Sequence, residues 1–396
     1  MFPVRRFIPF LLLLLLLLSG CGGSSSRSSQ QTSAPQAFTL DEKIFVHELF
    51  QTEYLWFDRV ASDIDYESYT TPQSLVDALK VTPPDRWSFA ITAQEYEAYP
   101  SQQTGGFGFG YVEGFRIYTT LLGSPADGKL QRGDTILKIN GEPASYEAIQ
   151  AASQNLGTPA RFTIDRHGTI LDISVTPSSY HYRVTEPKVI SYGGHTVGYL
   201  RYDAFSGTSA AELENAFTTF KNAAVDRLVV DLRYNGGGDV AVASILLDNI
   251  TNAHPGATQF YLDWNENNKD KNSYYTFEEQ GLQDGNELAM QQVIFLVTAD
   301  TASASEAVIN ALKPYLGAHS VITIGTPTHG KNVGMEGRSY GNDYYFLINF
   351  YVKNAQGETT SFSGIPPTCS APDDLEHLRG DPEERMFKTA LHYIVS

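Results

Sequence analysis

Hydrophobic positions in the C-terminal half of the chain alternate between two spacings. Short, nearly continuous apolar runs such as Leu228-Val-Val-Asp231 are typical of strands that are buried on both faces. The stretches between them carry apolar residues at the 3.6-residue spacing of a helix. From these patterns we predict strands at 197–202, 227–231, 293–298 and 320–324, and helices at 209–223, 240–250 and 305–316. This alternation predicts an α/β layered domain over residues 181–396.

The N-terminal part has a different pattern. Residues 40–60 carry a wide apolar face after an acidic first turn at Asp41 and Glu42, and a second short helix is predicted at 72–80. We therefore expect a small helical domain at 38–103. A polar insert at 263–287 is predicted to be a surface loop. The expected fold class is multidomain, with α+β and α/β parts.

Residues 104–180 alternate strand-like runs with turns. The segment opens with Gly105-Gly-Phe-Gly-Phe-Gly110, and residues 130–141 predict a turn, a strand at 135–139 and an Asn-Gly turn. A hairpin is predicted around His167-Gly168, and a short helix after Glu147.

These two runs together resemble a PDZ domain, a β-barrel-like fold. The glycine-rich run matches its carboxylate-binding loop, and residues 130–141 match its L-x-x-G-D-x-I-L-x-I-N-G run. The resemblance implies that a peptide's C-terminal carboxylate binds at Gly106, Phe107, Gly108 and Phe109 while the peptide pairs with an exposed strand edge. The alternative is that these glycines only make tight turns.

The first residues have the pattern of a targeting segment. Arg5 and Arg6 precede an apolar stretch at 7–18, which is too short to span a bilayer and is typical of a signal peptide at 1–20. It ends in Leu18-Ser-Gly-Cys21, which resembles the lipobox of bacterial lipoproteins. That resemblance implies acylation of Cys21, a flexible tether at 21–37 and a lipid anchor in the cell envelope. Glycine at position 22 favours the outer membrane, facing the periplasm; the alternative is an ordinary secretory signal.

Composition narrows the possible partners. The chain has 28 basic and 45 acidic residues, a formal charge of −17, which disfavours binding to nucleic acid. If Cys21 is lipidated, Cys369 is the remaining cysteine, and we predict a buried structural role for it. The His47-Glu pair lacks the second histidine of a zinc protease, and Asp263-x-Asn-x-Asn267 lacks the glycine of a calcium loop, so no metal or cofactor is predicted.

Three short segments carry candidate chemistry. Asp231-Leu-Arg-Tyr-Asn-Gly-Gly-Gly238 follows a strand, and its glycines could offer N–H groups to a reacting carbonyl. It fits neither phosphate-binding fingerprint, so the alternative is a tight connection. Ser303-Ala-Ser-Glu306 opens a helix and is also a helix capping box. Thr328-His-Gly-Lys331 supplies a lysine that is either a base or a surface residue in a turn.

In this order the three segments resemble the signatures of the carboxyl-terminal processing (tail-specific) proteases, peptidase family S41. The resemblance covers about residues 40–396, including Gly364-Ile-Pro-Pro and Gly380-Asp-Pro-Glu-Glu384. It implies an α/β Ser-Lys protease domain that cleaves polypeptides with free, apolar C-termini. By position, Ser303 is the nucleophile, not Ser305, and Lys331 is the base. The oxyanion donors are the backbone N–H groups of Ala304 and of Gly237 or Gly238.

The chain departs from that family beside the lysine. Many members have a glutamine four residues after the lysine to orient it, and here that position is Met335. The adjacent Glu336 is the candidate substitute, and His329 could assist the lysine. Two hypotheses follow: a serine endopeptidase with a Ser303 acyl-enzyme, and a catalytically silent binding lipoprotein that keeps the fold as a scaffold.

Overall fold

The computed structural model describes residues 37–98, 102–278 and 285–396. The predicted signal peptide, Cys21 and the tether up to residue 36 lie outside these ranges. Among the described residues, no helix combines the length and the apolar character needed to cross a bilayer.

The C-terminal part is built on a six-stranded sheet. Its order is β10-β11-β12-β15-β16-β19, in which only the β10–β11 pair is antiparallel. The strands are β10 (Thr185–Tyr192), β11 (His195–Tyr202), β12 (Arg227–Asp231), β15 (Val293–Val297), β16 (Val321–Gly325) and β19 (Cys369–Ser370). The predicted strands are confirmed to within two residues at each end. Cys369 is half-buried at the edge of this sheet.

Helices cover both faces of this sheet because its strands alternate their side chains between two cores. Leu228 and Val230 face a core that includes α5 (Ser209–Asn222), α6 (Val240–Ile250) and α7 (Ala304–Leu316). Val229 faces the opposite core, against α8 (Arg385–Ile394). The predicted α/β layering is therefore confirmed.

The end of α7 agrees with the predicted helix at 305–316. Pro314 lies inside the helix, which continues to Leu316. The chain turns at Gly317, whose φ of 80° suits glycine. Pro314 has no N–H to offer the Asn310 carbonyl, which instead accepts a hydrogen bond from Asn354 Nδ2 at 3.5 Å.

A second sheet, entirely antiparallel, lies beside the first. Its order is β1-β18-β13-β14, with β17 also paired to β18. The strands are β1 (Phe89–Thr92), β13 (Thr258–Trp264), β14 (Ser273–Thr276), β17 (Val333–Tyr340) and β18 (Asp343–Asn354). The insert predicted as a loop therefore contains β14, which pairs with β13 because Tyr274 and Tyr275 stack on Tyr261 and Phe260.

The N-terminal helices pack on this second sheet. They are α1 (Leu40–Thr52), α2 (Pro72–Leu79) and α3 (Ala93–Ala98), and short 3₁₀ turns span Phe57–Arg59, Tyr66–Ser68 and Glu266–Lys271. The core around Phe50 and Tyr54 includes Tyr345 and Ile348 of β18. The predicted helices are present, but they share a core with the sheet and do not form one of their own. Helices of 13 and 8 residues are too short to bury a separate core.

The segment between these parts forms a third sheet, β3-β4-β5-β7-β8, with β6 paired to β5 and a separate β2–β9 pair. The predicted strand at 135–139, the hairpin and the short helix are confirmed. The elements are β2 (Gln103–Gly106), β3 (Phe109–Val112), β4 (Arg116–Thr120), β5 (Thr135–Ile139), β6 (Glu142–Pro143), α4 (Tyr146–Gln154), β7 (Ala160–Arg166), β8 (Thr169–Val175) and β9 (Ser178–His181).

Because the N-terminal helices share their core with β18, we predict that Phe50→Ala destabilises the whole C-terminal part. Phe50 is fully buried, and the cavity should lower the free energy of unfolding by about 3–5 kcal/mol. Urea unfolding followed by tryptophan fluorescence and by far-UV circular dichroism measures this change. The matched control is Leu40→Ala, which removes a side chain that is 52% exposed and should change stability by less than about 0.5 kcal/mol. Loss of the N-terminal helices alone, with the sheets unaffected, would contradict the shared core.

Candidate active site

Ser303 lies at the turn between β15 and α7 in a strained backbone conformation. Its φ of 58° and ψ of −117° lie outside the regions that a serine normally adopts. Its N–H donates to Glu306 Oε2 at 3.1 Å, which is half of the predicted capping box. The strained turn places the serine at the positive end of a 13-residue helix.

The hydroxyl of the neighbouring Ser305 is used in a hydrogen bond to the backbone. Ser305 is fully buried, and its hydroxyl donates to the carbonyl oxygen of Asn235 at 3.1 Å. Ser303 is partly exposed and lines a small cavity. The structure therefore supports the sequence-based choice of Ser303 over Ser305 as the available hydroxyl.

Lys331 lines the same cavity as Ser303, and Ala307, Asn310 and Val352 form other parts of its wall. Burial lowers the pKa of the Lys331 ammonium to about 8, and the carboxylates of Asp85 and Glu306 oppose that shift. A lysine with this pKa is partly neutral near pH 7, whereas a free lysine is almost fully charged.

Glu306 connects the serine and lysine segments. Its carboxylate is 1% exposed, and it accepts hydrogen bonds from the backbone N–H of Gly330 at 2.9 Å and of Lys331 at 2.8 Å. It also accepts the Thr328 hydroxyl and the Ser303 N–H. Sequence reasoning recognised Glu306 only as a capping residue; its contacts with residues 328–331 are long-range, and no local pattern indicates them.

The glycine loop after β12 packs directly against Ser303. A Cβ atom on Gly237 would lie 2.7 Å from the Ser303 Cβ and 3.0 Å from the Ala304 nitrogen. The Gly237 N–H donates to Asn235 Oδ1 at 2.9 Å. In the part of the chain that the structure describes, the N–H groups of Gly238 and Ala304 have no acceptor in the protein. Of the three predicted oxyanion donors, Gly238 and Ala304 are thus free, and Gly237 is engaged.

A buried cluster of charged side chains holds the end of β12, where this glycine loop begins. Burial alone would raise the pKa of Asp231. The guanidinium groups of Arg233 and Arg379 outweigh this effect and hold that pKa well below its usual range. Arg233 also pairs with Glu384 at 2.9 Å. The cluster joins the end of β12 to the start of α8, and Asn235 Nδ2 donates to the Tyr202 carbonyl. From the sequence we assigned no role to Asn235. Its position just before the glycines is the signal that could have indicated a role in holding the loop.

His329 is held by two hydrogen bonds. Its Nε2 accepts from the Trp87 indole N–H at 3.2 Å, so its Nδ1 carries the proton and donates to the Ala299 carbonyl at 3.2 Å. With the Nε2 lone pair engaged, the imidazole has no free basic nitrogen to offer Ser303.

The structure does not place Glu336 at the cavity. Its side chain is 49% exposed and pairs with Arg338 at 3.1 Å. Met335 is partly buried against the N-terminal core instead. Side chains alternate along β17, so the predicted orienting contact between Glu336 and Lys331 is replaced by an ion pair at the surface.

The predicted peptide-binding loop lies in the third sheet, apart from Ser303 and Lys331. Gly106 and Gly108 have φ values of 115° and 84°, so the loop backbone requires glycine. Phe107 and Phe109 are 2% and 8% exposed and belong to the core of this sheet. Within the described ranges, no group of three or more His, Cys, Asp or Glu side chains could hold a metal ion.

Two family models match this chain. The model of peptidase family S41 matches residues 196–371, which include the glycine loop, Ser303 and Lys331. The model of the peptidase S41 N-terminal domain matches residues 41–89, which include Asp85 and Trp87.

Individual relatives match over shorter stretches. The chain is 30% identical over 140 residues to the chloroplastic carboxyl-terminal-processing peptidase 3 of Arabidopsis thaliana, covering 34% of this chain and 23% of the relative. It is 27% identical over 179 residues to the carboxy-terminal processing protease CtpB of Bacillus subtilis, covering 45% of this chain and 34% of CtpB. The chain thus spans about a quarter of the first relative's length and about a third of the second's.

A solved structure matches over nearly the whole chain. The crystal structure of a putative S41 protease from Bacteroides fragilis superposes with a TM-score of 0.77 at 24% identity, and covers 88% of this chain and 96% of that one. At this identity the likeness shows a shared fold.

Glu306→Gln tests the link between the two segments. An amide can accept through only one of its two terminal atoms, so some of the four donors would lose their acceptor. We expect the free energy of unfolding to fall by about 3 kcal/mol, measured by urea denaturation. Glu67→Gln, at an exposed site, is the control and should leave stability unchanged within about 0.5 kcal/mol. Equal stability of the two variants would show that Glu306 does not hold the site together.

Proposed function

The chain belongs to peptidase family S41, and from this premise we propose that it is a serine endopeptidase with a Ser303–Lys331 dyad. The observation that carries the proposal is that the strained Ser303 and the partly buried Lys331 line one cavity. The lowered pKa of Lys331 gives the partly neutral amine that a base requires. The proposal needs no metal or cofactor.

The proposed reaction proceeds in two halves. In the first, the neutral Lys331 amine takes the Ser303 proton while Oγ bonds to the substrate carbonyl carbon. The N–H groups of Ala304 and Gly238 stabilise the oxyanion of the tetrahedral intermediate. The carbon–nitrogen bond then breaks, and the leaving amine takes the proton from the Lys331 ammonium.

In the second half, water replaces the leaving amine. Lys331 takes a proton from this water, whose oxygen bonds to the acyl carbon, and the ester bond to Ser303 breaks. The proton returns from Lys331 to the Ser303 oxygen, and the carboxylic acid product leaves and releases its remaining proton to solvent.

We further propose that the third sheet acts as a PDZ domain and binds polypeptides with free, apolar C-termini. Support comes from β3, which within the described residues pairs only with β4 and leaves its other edge for an incoming strand. The left-handed glycines at 106 and 108 are those expected of a carboxylate-binding loop. The names of the relatives, carboxyl-terminal processing peptidases, agree with this substrate class.

For location, we propose a lipid anchor at Cys21 in the bacterial cell envelope, at the outer membrane and facing the periplasm. Support is the lipobox-like Leu18-Ser-Gly-Cys21 after a short apolar stretch, with glycine at position 22. Metabolic labelling with an alkyne-bearing fatty acid in a bacterial host, with Cys21→Ser as the control, tests this part.

A second candidate function is a catalytically silent binding lipoprotein. Two observations favour it: the Gly237 N–H is already bonded to Asn235, and Glu336 lies away from Lys331. The first prediction below separates the two functions, because a scaffold has no Ser303-dependent turnover.

We predict that Ser303→Ala abolishes cleavage of unstructured substrates with apolar C-termini and leaves folding intact. Ser305→Ala is the matched control, two residues away in the same helix turn. Its hydroxyl only donates to Asn235, so we expect stability to fall by about 1 kcal/mol and turnover to persist. Cleavage of a fluorogenic peptide with a free C-terminus measures both. Turnover retained by Ser303→Ala but lost in Ser305→Ala would reverse the assignment, and absence of turnover in the wild type would support the scaffold.

We predict that kcat/KM rises with pH through one ionisation near 8 and then levels off, because only the neutral Lys331 amine accepts a proton. Lys331→Arg should be nearly as inactive as Lys331→Ala, since a guanidinium does not release its proton. Rates from pH 6 to 10, with folding checked by circular dichroism at each pH, measure this. Near-normal rates in Lys331→Arg would show that only the positive charge matters.

A further inference from the structure

A second buried carboxylate lies near Lys331, on the N-terminal part of the chain. Asp85 is fully buried, and its Oδ2 accepts the Tyr54 hydroxyl at 2.8 Å and the Ser88 hydroxyl at 2.5 Å. Its Oδ1 accepts the backbone N–H groups of Trp87 at 2.8 Å and Ser88 at 3.0 Å. Four donors are therefore directed at the two oxygens of one carboxylate, which fixes its position.

The turn that carries Asp85 is fixed to the lysine segment. Trp87, two residues after Asp85, donates its indole N–H to His329, two residues before Lys331. The Ser88 hydroxyl accepts the Ile348 N–H at 3.1 Å, and the Leu55 N–H donates to the Ile348 carbonyl at 2.8 Å. Strand β18 therefore holds both Ser88 and the residue after Tyr54 in place.

Two acidic groups act on Lys331 from different parts of the chain. They are Asp85, from the N-terminal turn, and Glu306, from α7. His329, on the lysine's own segment, is bonded to Trp87 and Ala299. The Glu306 carboxylate accepts hydrogen bonds from four donors in the serine and lysine segments, and these bonds hold the two segments together. Within the described residues, the Asp85 carboxylate has no hydrogen bond to the serine or lysine segment, and its four donors all belong to the N-terminal part.

We propose that Asp85 is a positioning residue whose buried negative charge stabilises the Lys331 ammonium each time the lysine takes a proton. The inference rests on the proposed Ser303–Lys331 function and adds a third member from the N-terminal domain. Its role corresponds to that of the aspartate in a Ser-His-Asp triad, which stabilises an imidazolium without itself being protonated. In this chain it supplies support for the lysine that neither Met335 nor Glu336 provides. The Tyr54 and Ser88 hydroxyls hold the charge in place.

The test measures the ionisation of Lys331 directly. Competitive acetylation with acetic anhydride at pH 6–11, quantified by mass spectrometry of the Lys331 peptide, gives the pH at which the amine is half neutral. It requires no enzyme activity. In Asp85→Asn the opposing negative charge is lost, so this midpoint should move to lower pH. The kcat of fluorogenic-peptide cleavage on the alkaline plateau should fall by roughly tenfold or more, because the ammonium in the transition state loses its counter-charge.

Ser88→Ala provides a second variant with the opposite sign. This variant keeps the Asp85 charge but removes the 2.5 Å hydrogen bond from the Ser88 hydroxyl, which partly neutralises that charge. The Lys331 ammonium then experiences a stronger negative charge, so its midpoint should move to higher pH. Should Asp85→Asn fail to fold, this variant decides the question. Asp58→Asn, at an exposed position of the same N-terminal part, is the control and should leave the midpoint unchanged.

Two results would overturn the proposal: a wild-type midpoint in Asp85→Asn, or shifts of the same sign in both variants. Failure of the proposed function has a different signature. In that case the wild-type protein cleaves nothing, while the Lys331 midpoints still shift with the Asp85 charge.

Discussion

A single buried carboxylate determines where the two candidate catalytic groups lie. Glu306 accepts the N–H of Ser303 on one side and those of Gly330 and Lys331 on the other. The two segments belong to different strand–loop units of the main sheet, after β15 and after β16. A buried carboxylate without donors would be costly, so the four hydrogen bonds and the burial of Glu306 depend on each other. Opening either segment would leave polar groups unsatisfied in the interior, and this cost keeps the serine and the lysine at one cavity.

Around this link, each layer of the protein contributes one property of the site. The α/β sheet provides the strand-to-helix turn at Ser303 and the glycine loop whose Gly237 fits against it. The charge cluster of Asp231, Arg233 and Arg379 fixes the strand end from which that loop starts. The N-terminal helices, packed on β18, bring Asp85 and Trp87 to the lysine segment. The N-terminal part therefore contacts the lysine segment through Trp87 and His329.

Much of this arrangement could be predicted from the sequence, because local signals determined it. Strands such as Val293–Val297 are continuously apolar, and the turn at Ser303 follows from a buried strand ending shortly before a capped helix. The choice of Ser303 and Lys331 came from motif order, and the structure places both at one cavity.

The rest depends on contacts between residues far apart in sequence. Glu336 was expected to orient the lysine, but the pleat of β17 directs it to Arg338. Asp85 follows two prolines in a short turn, and nothing nearby in the sequence indicates a role; its proximity to Lys331 arises from the packing of α1 and α2 on β18. The engagement of the Gly237 N–H by Asn235 likewise depends on side-chain geometry that composition does not encode.

The most direct test of the central claim is the site and pH dependence of covalent capture. The protein is treated with a fluorophosphonate at pH 6–10, and the modified peptide is identified by mass spectrometry. We predict a single label on Ser303, with a labelling rate that rises as the Lys331 amine becomes neutral around pH 8. A label on another residue, or a Ser303 labelling rate that does not change with pH, would rule out the Ser303–Lys331 dyad.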